Sequence, residues 1–364
     1  MNTLNQPSNH PFPPFSCRYS SQVPELLTRL NCSLAISTYQ AGKLIFISPK
    51  DENSLVQLPR HFDKVMGIAH DSKKDKLALA CRDEVVVFAN SQNLAKSYPK
   101  SPNKYDSLYL PRNTFHTGAL DIHDLNFGLN GEIYGVNTLF SNIIKIDSDY
   151  NFSPYWTPPF IDKMVSEDRC HLNGMAFGNG RPKFASAFNQ GNTMQSWREN
   201  ITETGILMDI DSNEIIVDGL AMPHSPRIFD KDLFVLLSAT GELVKVDVNT
   251  GKYDVVVKLD GFVRGMSLHQ DYLFIGLSKL RENSSTFGKL SFAKKANEAG
   301  ITIVHLPTGS IAGKISYLSS LDEIYDVHVL PDTLRPNIMN TKTEAHKDGL
   351  MTPSDTFWAV KSQR

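Results

Sequence analysis

The sequence predicts an all-β protein, a six-bladed β-propeller whose last blade is closed by strands from both termini. A short apolar phrase recurs six times, at steps of 57, 50, 52, 39 and 61 residues. Its copies are centred on Gly67, Asp124, Gly174, Pro226, Gly265 and Asp326. Alternating apolar runs bounded by Gly, Asn and Asp follow the copies, which is typical of short strands joined by hairpins. Four strands per repeat make one blade, and such sheets bury both faces only by stacking around an axis.

Each repeat contains an inner strand followed by outer strands. In the first repeat, strands are predicted over 76–81 and 84–88. In the fourth, they are predicted over 232–237, 241–247 and 253–257. The β-branched residues in these runs favour strands over helices.

The two ends of the chain are predicted to share the sixth blade. The last repeat, at Asp326, provides an inner strand without outer partners. Strands predicted over 33–37, 42–47 and 54–58 precede the first repeat and have no inner strand of their own. Joining them closes the ring and removes sheet edges that would otherwise promote aggregation.

The predicted domain organisation has three parts: an N-terminal arm with a short helix over 1–32, the propeller over 33–330, and a polar C-terminal tail over 331–364. The helix is predicted over 23–30, with Ser21 as its N-cap.

Charge and composition exclude several classes of partner. Lys and Arg number 37 against 39 for Asp and Glu, without a basic cluster, so we expect no nucleic acid as a partner. No apolar stretch approaches the roughly 20 residues of a membrane span, and the first 14 residues lack the apolar segment of a secretory signal. The four cysteines show no paired spacing, which favours a reducing, cytoplasmic location. The oligomeric state stays open.

Strand direction predicts where loops emerge. Inner strands all begin on one face of the ring, the top face, so blade connectors and turns between second and third strands lie there. The long insertions over 89–118, 189–204 and 278–300 are predicted to lie on this face. Loops over a rigid scaffold commonly carry binding residues.

Three histidines are predicted to meet at the mouth of the central channel on the top face. His123, His171 and His224 lie at or just before inner strands of successive blades. Neutral imidazoles suit zinc, copper or iron, so these residues are the predicted ligands of a divalent transition metal. A metal-bound water would support hydrolysis, and a redox-active metal would support oxidation. Each histidine could instead be a hydrogen-bonded packing residue.

Four further residues at the mouth are the predicted catalytic groups. Arg264 could neutralise a substrate carboxylate or a developing oxyanion, and Glu323 or Asp326 could act as base or complete a metal shell. Tyr325 lies beside them. The alternative is structural, with Arg264 bridging blades through an ion pair to Glu323 or Asp326.

The predicted substrate-binding residues are Asn173, Tyr39, Gln40 and Trp197. Tyr39 and Gln40 lie in a turn that faces the top, and Trp197 belongs to a set of aromatic residues suited to stacking on a sugar or peptide. Alternatively, Asn173 forms only a turn with the following glycine, and the aromatic residues pack within their own loops.

Two resemblances support the fold. The phrase over 170–177 looks like the one that opens blades in gluconolactonase and regucalcin-like propellers, where its Asn helps to hold a central divalent metal. More of the chain, over 15–330, resembles an uncharacterised bacterial family of conserved hypothetical propellers, sometimes fused to tetratricopeptide repeats. The phrases that carry this second resemblance lie over 37–44, 122–125, 171–176, 222–227 and 277–282.

Two classes of function follow from these patterns. The first is a metal-dependent enzyme with hydrolytic or oxidative chemistry on a small polar or peptide substrate. The second is a non-catalytic module that binds a peptide or glycan.

Overall fold

The computed structural model describes residues 11–280 and 296–359. Six antiparallel sheets surround a central axis, and the inner strands of successive blades contact one another in a closed circle. The predicted six-bladed propeller is confirmed.

The strands and helices are numbered in chain order. The N-terminal elements are β1 (Cys17–Tyr19), α1 (Val23–Arg29), β2 (Cys32–Thr38), β3 (Lys43–Asp51) and β4 (Ser54–His61). Blade 1 contains β5 (Ile68–Asp71), β6 (Lys76–Ala80), β7 (Glu84–Asn90), α2 (Gln92–Lys96) and β8 (Ser107–His116). Blade 2 contains β9 (Ile122–Phe127), β10 (Ile133–Asn137), β11 (Asn142–Ile146) and β12 (Ser153–Trp156).

The remaining blades repeat this arrangement. Blade 3 contains β13 (Leu172–Gly178), β14 (Arg181–Ala187), a 3-10 turn (Ser196–Arg198), β15 (Gly205–Asp209) and β16 (Ile215–Leu220). Blade 4 contains β17 (Pro223–Phe229), β18 (Asp232–Leu237), β19 (Glu242–Asp247) and β20 (Lys252–Lys258). Blade 5 contains β21 (Phe262–His269), β22 (Tyr272–Ser278), β23 (Gly300–His305) and β24 (Ser310–Tyr317). The last elements are β25 (Asp326–Pro331), β26 (Pro336–Ile338), a 3-10 turn (Glu344–Lys347), β27 (Gly349–Met351) and β28 (Thr356–Trp358).

Blade 6 joins the two ends of the chain as predicted. The inner strand β25 pairs antiparallel with β2, with Val327 opposite Ile36, and β3 and β4 complete the sheet. The inner strand therefore comes from the C-terminal part and the other three strands from the N-terminal part. This pairing closes the ring.

Segments outside the predicted 33–330 propeller also join its sheets. Strand β1 pairs with β24 at the outer edge of blade 5, and β26 runs parallel to β8 at the outer edge of blade 1. Each added strand supplies partners to an edge that would otherwise expose backbone N–H and C=O groups. The sheets of the propeller thus extend from Cys17 to Ile338.

The short helix α1 begins at Val23, its predicted start. Gln22 occupies the N-cap position without a side-chain hydrogen bond, so the prediction of Ser21 as the cap is wrong. A proline in the first turn starts the helix instead, because its fixed φ suits that position. Val23, Leu26 and Leu27 are buried in the apolar cluster between blades 5 and 6.

The placement of one insertion differs from the prediction. The segment over 89–118 connects β7 to β8, the third and fourth strands of blade 1, and therefore lies on the bottom face. The pattern did not reveal that one third of this segment is a ten-residue strand, β8. The insertion between β14 and β15 lies on the top face, as predicted. In the third insertion, residues 281–295 lie outside the described residues.

Hydroxyl groups tie neighbouring blades together near the top face. Buried serine or threonine side chains at the ends of second strands donate hydrogen bonds to backbone carbonyls of the next blade. The pairs are Ser37 to Met66, Thr138 to Leu172, Ser238 to Val263 and Ser278 to Ile324. These bonds satisfy carbonyls at or just before the start of the inner strands and fix the spacing of the channel mouth. No helix among the described residues is long and apolar enough to cross a membrane.

Candidate functional site

A small cavity lies at the mouth of the channel, between the inner strands. Its lining comes from blades 2 to 6: His123, Asp124, Asn173, His224, Ser225, Arg227, Arg264, Tyr325 and Asp326. The cavity volume is about 10 Å³. By the same measure, a cavity needs about 10–15 Å³ to hold one water molecule. The mouth therefore has room for about one oxygen-sized group.

Two of the predicted metal ligands, His123 and His224, share one local backbone arrangement. The residue two positions earlier has a positive φ, 50° at Asp121 and 54° at Met222. Its carbonyl oxygen lies 2.8 Å from His123 Nδ1 in blade 2 and 3.1 Å from His224 Nδ1 in blade 4. Because a carbonyl only accepts hydrogen bonds, Nδ1 carries the hydrogen in both rings and Nε2 carries a lone pair.

His224 is held by a further bond and is buried. Ser238 Oγ donates to the Val263 carbonyl at 2.5 Å and accepts from His224 Nδ1 at 2.6 Å. Phe188 and Phe262 lie edge-on to the imidazole, which is 3% exposed. Burial, together with the nearby positive charge of Arg264, lowers the pKa of His224 well below its usual value. His224 Nε2 is buried and has no hydrogen-bond partner within the described part of the chain.

The third predicted ligand, His171, lies beside the cavity and does not line it. Its Nδ1 donates to the Asp168 carboxylate, with distances of 3.0 and 3.1 Å to the two oxygens. The ring packs against Trp197 at 4.3 Å and contacts the edge of His123 at 5.1 Å. Within residues 11–280 and 296–359, no group of three His, Cys, Asp or Glu side chains could hold a metal ion in this arrangement. A metal site at the three histidines stays a prediction.

Trp197, a predicted substrate-binding residue, is buried. Its side chain is 3% exposed, and Nε1 donates to Asp168 Oδ2 at 3.0 Å. It belongs to the apolar cluster between blades 3 and 4. The structure therefore places it behind His171, as a support for that ring.

Arg264 of blade 5 and Tyr325 of blade 6 also line the cavity. The guanidinium lies 4.6 Å from the Tyr325 ring centre, and its Nη1 is 3.5 Å from Glu323 Oε1. The ion pair considered from the sequence is therefore present. Arg264 Nε and the Tyr325 hydroxyl are buried without a hydrogen-bond partner among the described residues. Burial raises the pKa of Tyr325 well above its usual value, so the phenol stays protonated.

Asp326 and Asn173 differ in how their polar atoms are used. Asp326 accepts hydrogen bonds from the Ile68 and Val327 backbone N–H groups at 3.1 and 2.9 Å, which ties blade 6 to blade 1. Asn173 Oδ1 accepts from Ser186 Oγ at 2.9 Å. Asn173 Nδ2, a donor, is buried without a partner in the described ranges.

Tyr39 and Gln40 lie in the turn between β2 and β3, which faces the top. The Tyr39 ring centre is 6.5 Å from that of Tyr325, and its hydroxyl accepts a hydrogen bond from Lys64 Nζ at 3.1 Å. Gln40 is exposed. Tyr39 thus belongs to the rim of the mouth, whereas neither residue lines the cavity.

The sequence did not identify a buried ion pair across the channel. Arg227 of blade 4 makes two hydrogen bonds to the Asp124 carboxylate of blade 2, at 2.8 and 3.0 Å. Asp124 also accepts a hydrogen bond from Met175 N at 3.0 Å. Asp326, at the equivalent position of its repeat, accepts one from Ile68 N in the same way. The presence of Asp at the same repeat position in blades 2 and 6 was the sequence signal for a shared role of these carboxylates in the fold. Nothing in the repeat pattern indicated that Arg227 would bind one of them. Two arginines and two aspartates line the cavity, so their formal charges cancel.

Comparisons with known proteins identify the family and the fold. Residues 21–339 match the model of a domain of unknown function, DUF4915, so the chain belongs to that family. A search of curated proteins found no match to this sequence.

Two solved structures share the fold at low sequence identity. One, "Crystal structure of Nidogen/Laminin Complex", has a TM-score of 0.53 and 9% identity over 83% of this chain and 99% of that chain. The other, a protein of unknown function from Bacteroides caccae, has a TM-score of 0.51 and 10% identity over 82% of this chain and 98% of that chain. At this identity the similarity concerns the fold alone.

Proposed function

We propose that the protein is an enzyme that performs acid–base chemistry on an oxygen of a small polar substrate bound at the channel mouth. One observation carries the proposal. Four buried polar atoms on residues that line one cavity have no hydrogen-bond partner among the described residues. These atoms are His224 Nε2, Asn173 Nδ2, Arg264 Nε and the Tyr325 hydroxyl oxygen.

Such atoms are costly unless a ligand or water bonds to them. An unsatisfied buried donor or acceptor costs about 1–3 kcal/mol, and most buried polar groups in native proteins have a partner. Four in one cavity exceed what packing requires. The set therefore supports a site built to hold a polar group.

The protonation states indicate which group accepts a proton in the proposed reaction. His224 is neutral and its Nε2 lone pair is the predicted base. In the proposed step, a bound O–H group gives its proton to Nε2, the bonding electron pair stays on oxygen, and the ring becomes an imidazolium. Arg264 stabilises the negative charge on that oxygen, and Ser238 holds the ring in the required tautomer.

The test is conversion of small molecules by purified protein. A panel of alcohols, polyols, hydroxy acids, amides, esters and lactones is incubated with the protein and analysed by mass spectrometry. We expect conversion of at least one compound, with a loss of about 10²–10⁴-fold in rate for His224→Gln. His116→Gln, at an exposed position on β8, is the matched control and should keep the full rate.

The outcomes separate the two classes of function. Thermal stabilisation by a compound that is never converted would contradict the enzyme and support the non-catalytic binding module, because a ligand of the native state raises its stability. Equal rates for wild type and His224→Gln, with both proteins folded, would show that His224 takes no part in the reaction.

A metal-dependent enzyme is the second candidate. All three histidines donate Nδ1–H to a carbonyl or carboxylate, the orientation that metal-ligating histidines commonly have. His171 would need a different side-chain rotamer to reach the cavity. Stoichiometric zinc, copper or iron that is lost in a His171→Ala/His224→Ala double variant would support this candidate, and metal-free active protein would contradict it.

A further inference from the structure

We propose that the group bound in the cavity is an alcohol hydroxyl of the substrate. This inference rests on the proposed function, since it names the substrate class of the same site. It follows from the number, polarity and charge of the groups around the cavity.

The hydrogen-bonding capacity of the cavity matches one hydroxyl group. Asn173 Nδ2 and Arg264 Nε are donors, and His224 Nε2 is an acceptor because its Nδ1 carries the hydrogen. A hydroxyl oxygen accepts two hydrogen bonds and donates one. One hydroxyl can therefore satisfy all three atoms, with its hydrogen directed to His224.

A bare ion fits the same groups poorly. An anion offers no hydrogen to His224 Nε2, and a metal cation would face the N–H groups of Asn173 and Arg264. Both arginines already have a carboxylate partner, since Arg227 binds Asp124 and Arg264 lies 3.5 Å from Glu323. Without an excess of positive charge, desolvating an anion here would be unfavourable. A neutral polar group avoids that cost.

The size of the cavity limits how much of the substrate it can hold. The cavity holds about one oxygen-sized group, so the carbon that carries the hydroxyl and the rest of the molecule must extend toward the top loops. Alcohols and polyols have such a projecting hydroxyl group.

Soaked crystals of the full chain test this inference. Separate crystals are soaked in ethylene glycol, sodium bromide and zinc chloride, and bromide and zinc are located by anomalous scattering. We expect a glycol hydroxyl within hydrogen-bond distance of His224 Nε2, Asn173 Nδ2 and Arg264 Nε. Bromide or zinc among these residues would overturn the inference, as would a water that ethylene glycol at molar concentration does not displace.

Matched variants tie the result to the named atoms. Asn173→Asp keeps the size but replaces a donor with an acceptor, so glycol should be lost from its crystals. Asn113→Asp, an exposed asparagine on β8, should leave glycol binding unchanged. Glycol bound equally in both variants would contradict the role of Asn173. If compounds in the panel are converted but bromide occupies the cavity, the protein is an enzyme and the inference of a bound hydroxyl is wrong. If glycol binds but no compound is converted, the inference of a bound hydroxyl holds and the proposed enzymatic function is wrong.

Discussion

At the scale of single residues, backbone conformation sets the chemistry of the mouth. Asp121 and Met222 adopt positive φ, a conformation that costs non-glycine residues about 1–2 kcal/mol. In return, their carbonyls accept the Nδ1–H groups of His123 and His224. These hydrogen bonds fix both imidazoles as the tautomer in which Nε2 carries a lone pair that can accept a hydrogen bond. Strained residues beside a polar cavity are common at functional sites.

A half-buried histidine on β5, His70, predicts acid sensitivity. Burial, reinforced by His328, lowers the pKa of His70 to about 4, whereas an unfolded histidine titrates near about 6.5. Between these values the unfolded chain binds a proton that the folded chain does not, so stability falls as the pH drops from about 6.5 to about 4. Urea unfolding at pH 7, 6 and 5 should show this loss.

The variant His70→Gln tests whether His70 causes this loss of stability. In His70→Gln the fall should be shallower by up to about 1.4 kcal/mol per pH unit, the contribution of one proton. His116→Gln serves as the exposed control and should follow the wild type. Identical slopes in all three proteins would show that His70 does not titrate differently in the folded state.

At the scale of elements, inner strands of neighbouring blades approach so closely that side chains are excluded at certain positions. A Cβ atom on Gly265 would lie 2.6 Å from Asp326 Cα, and one on Gly174 would lie 2.5 Å from Pro226 Cδ. These glycines lie at equivalent positions in the repeat. The recurring phrase therefore marks the contact between blades as well as the start of each inner strand.

Paired glycine substitutions separate close approach from backbone strain. Gly265 and Gly118 have similar φ values, 72° and 75°, but a Cβ on Gly118 would meet no described atom within 4 Å. Gly118→Ala should lose about 1 kcal/mol of unfolding free energy through the backbone alone. Gly265→Ala should lose a further 1–3 kcal/mol or so through overpacking. Equal losses in chemical denaturation would refute the close contact.

At the scale of the whole molecule, ring closure depends on one strand. Strand β25 supplies the inner strand of blade 6 and contacts the inner strands of blades 5 and 1. A chain that ends at residue 320 loses β25 and leaves β2 unpaired, so it should fail to give a cooperative unfolding transition. A chain that ends at residue 340 keeps β25 and β26 and should unfold cooperatively. Cooperative folding of the shorter chain would show that closure is dispensable.

The propeller was predictable because its signal repeats, while parts of the site were not. Six copies of one phrase, and strands left without partners at both ends, indicated the ring and its closure. Position within the repeat also brought His123, His224, Asn173, Arg264 and Tyr325 to one cavity.

Contacts that depend on side-chain direction had no periodic signal. Arg227 reaches Asp124 across the channel from two blades away, and Asp168 turns His171 toward Trp197. Spacing alone placed His171 with the other histidines, because the repeat specifies where a strand begins and not which rotamer follows. The bottom-face insertion was misplaced for a related reason, since exposed Asn113 and Thr114 break the apolar pattern of β8.

The central claim is that His224 presents a neutral Nε2 lone pair to a cavity of hydrogen-bond donors. Nuclear magnetic resonance of protein labelled with ¹⁵N-histidine measures this directly, because the two ring nitrogens show separate signals for each tautomer. At pH 7, with His224→Gln used to assign the signals, we predict a protonated Nδ1 and an unprotonated Nε2. A protonated Nε2, either as the other tautomer or as an imidazolium, would contradict the account.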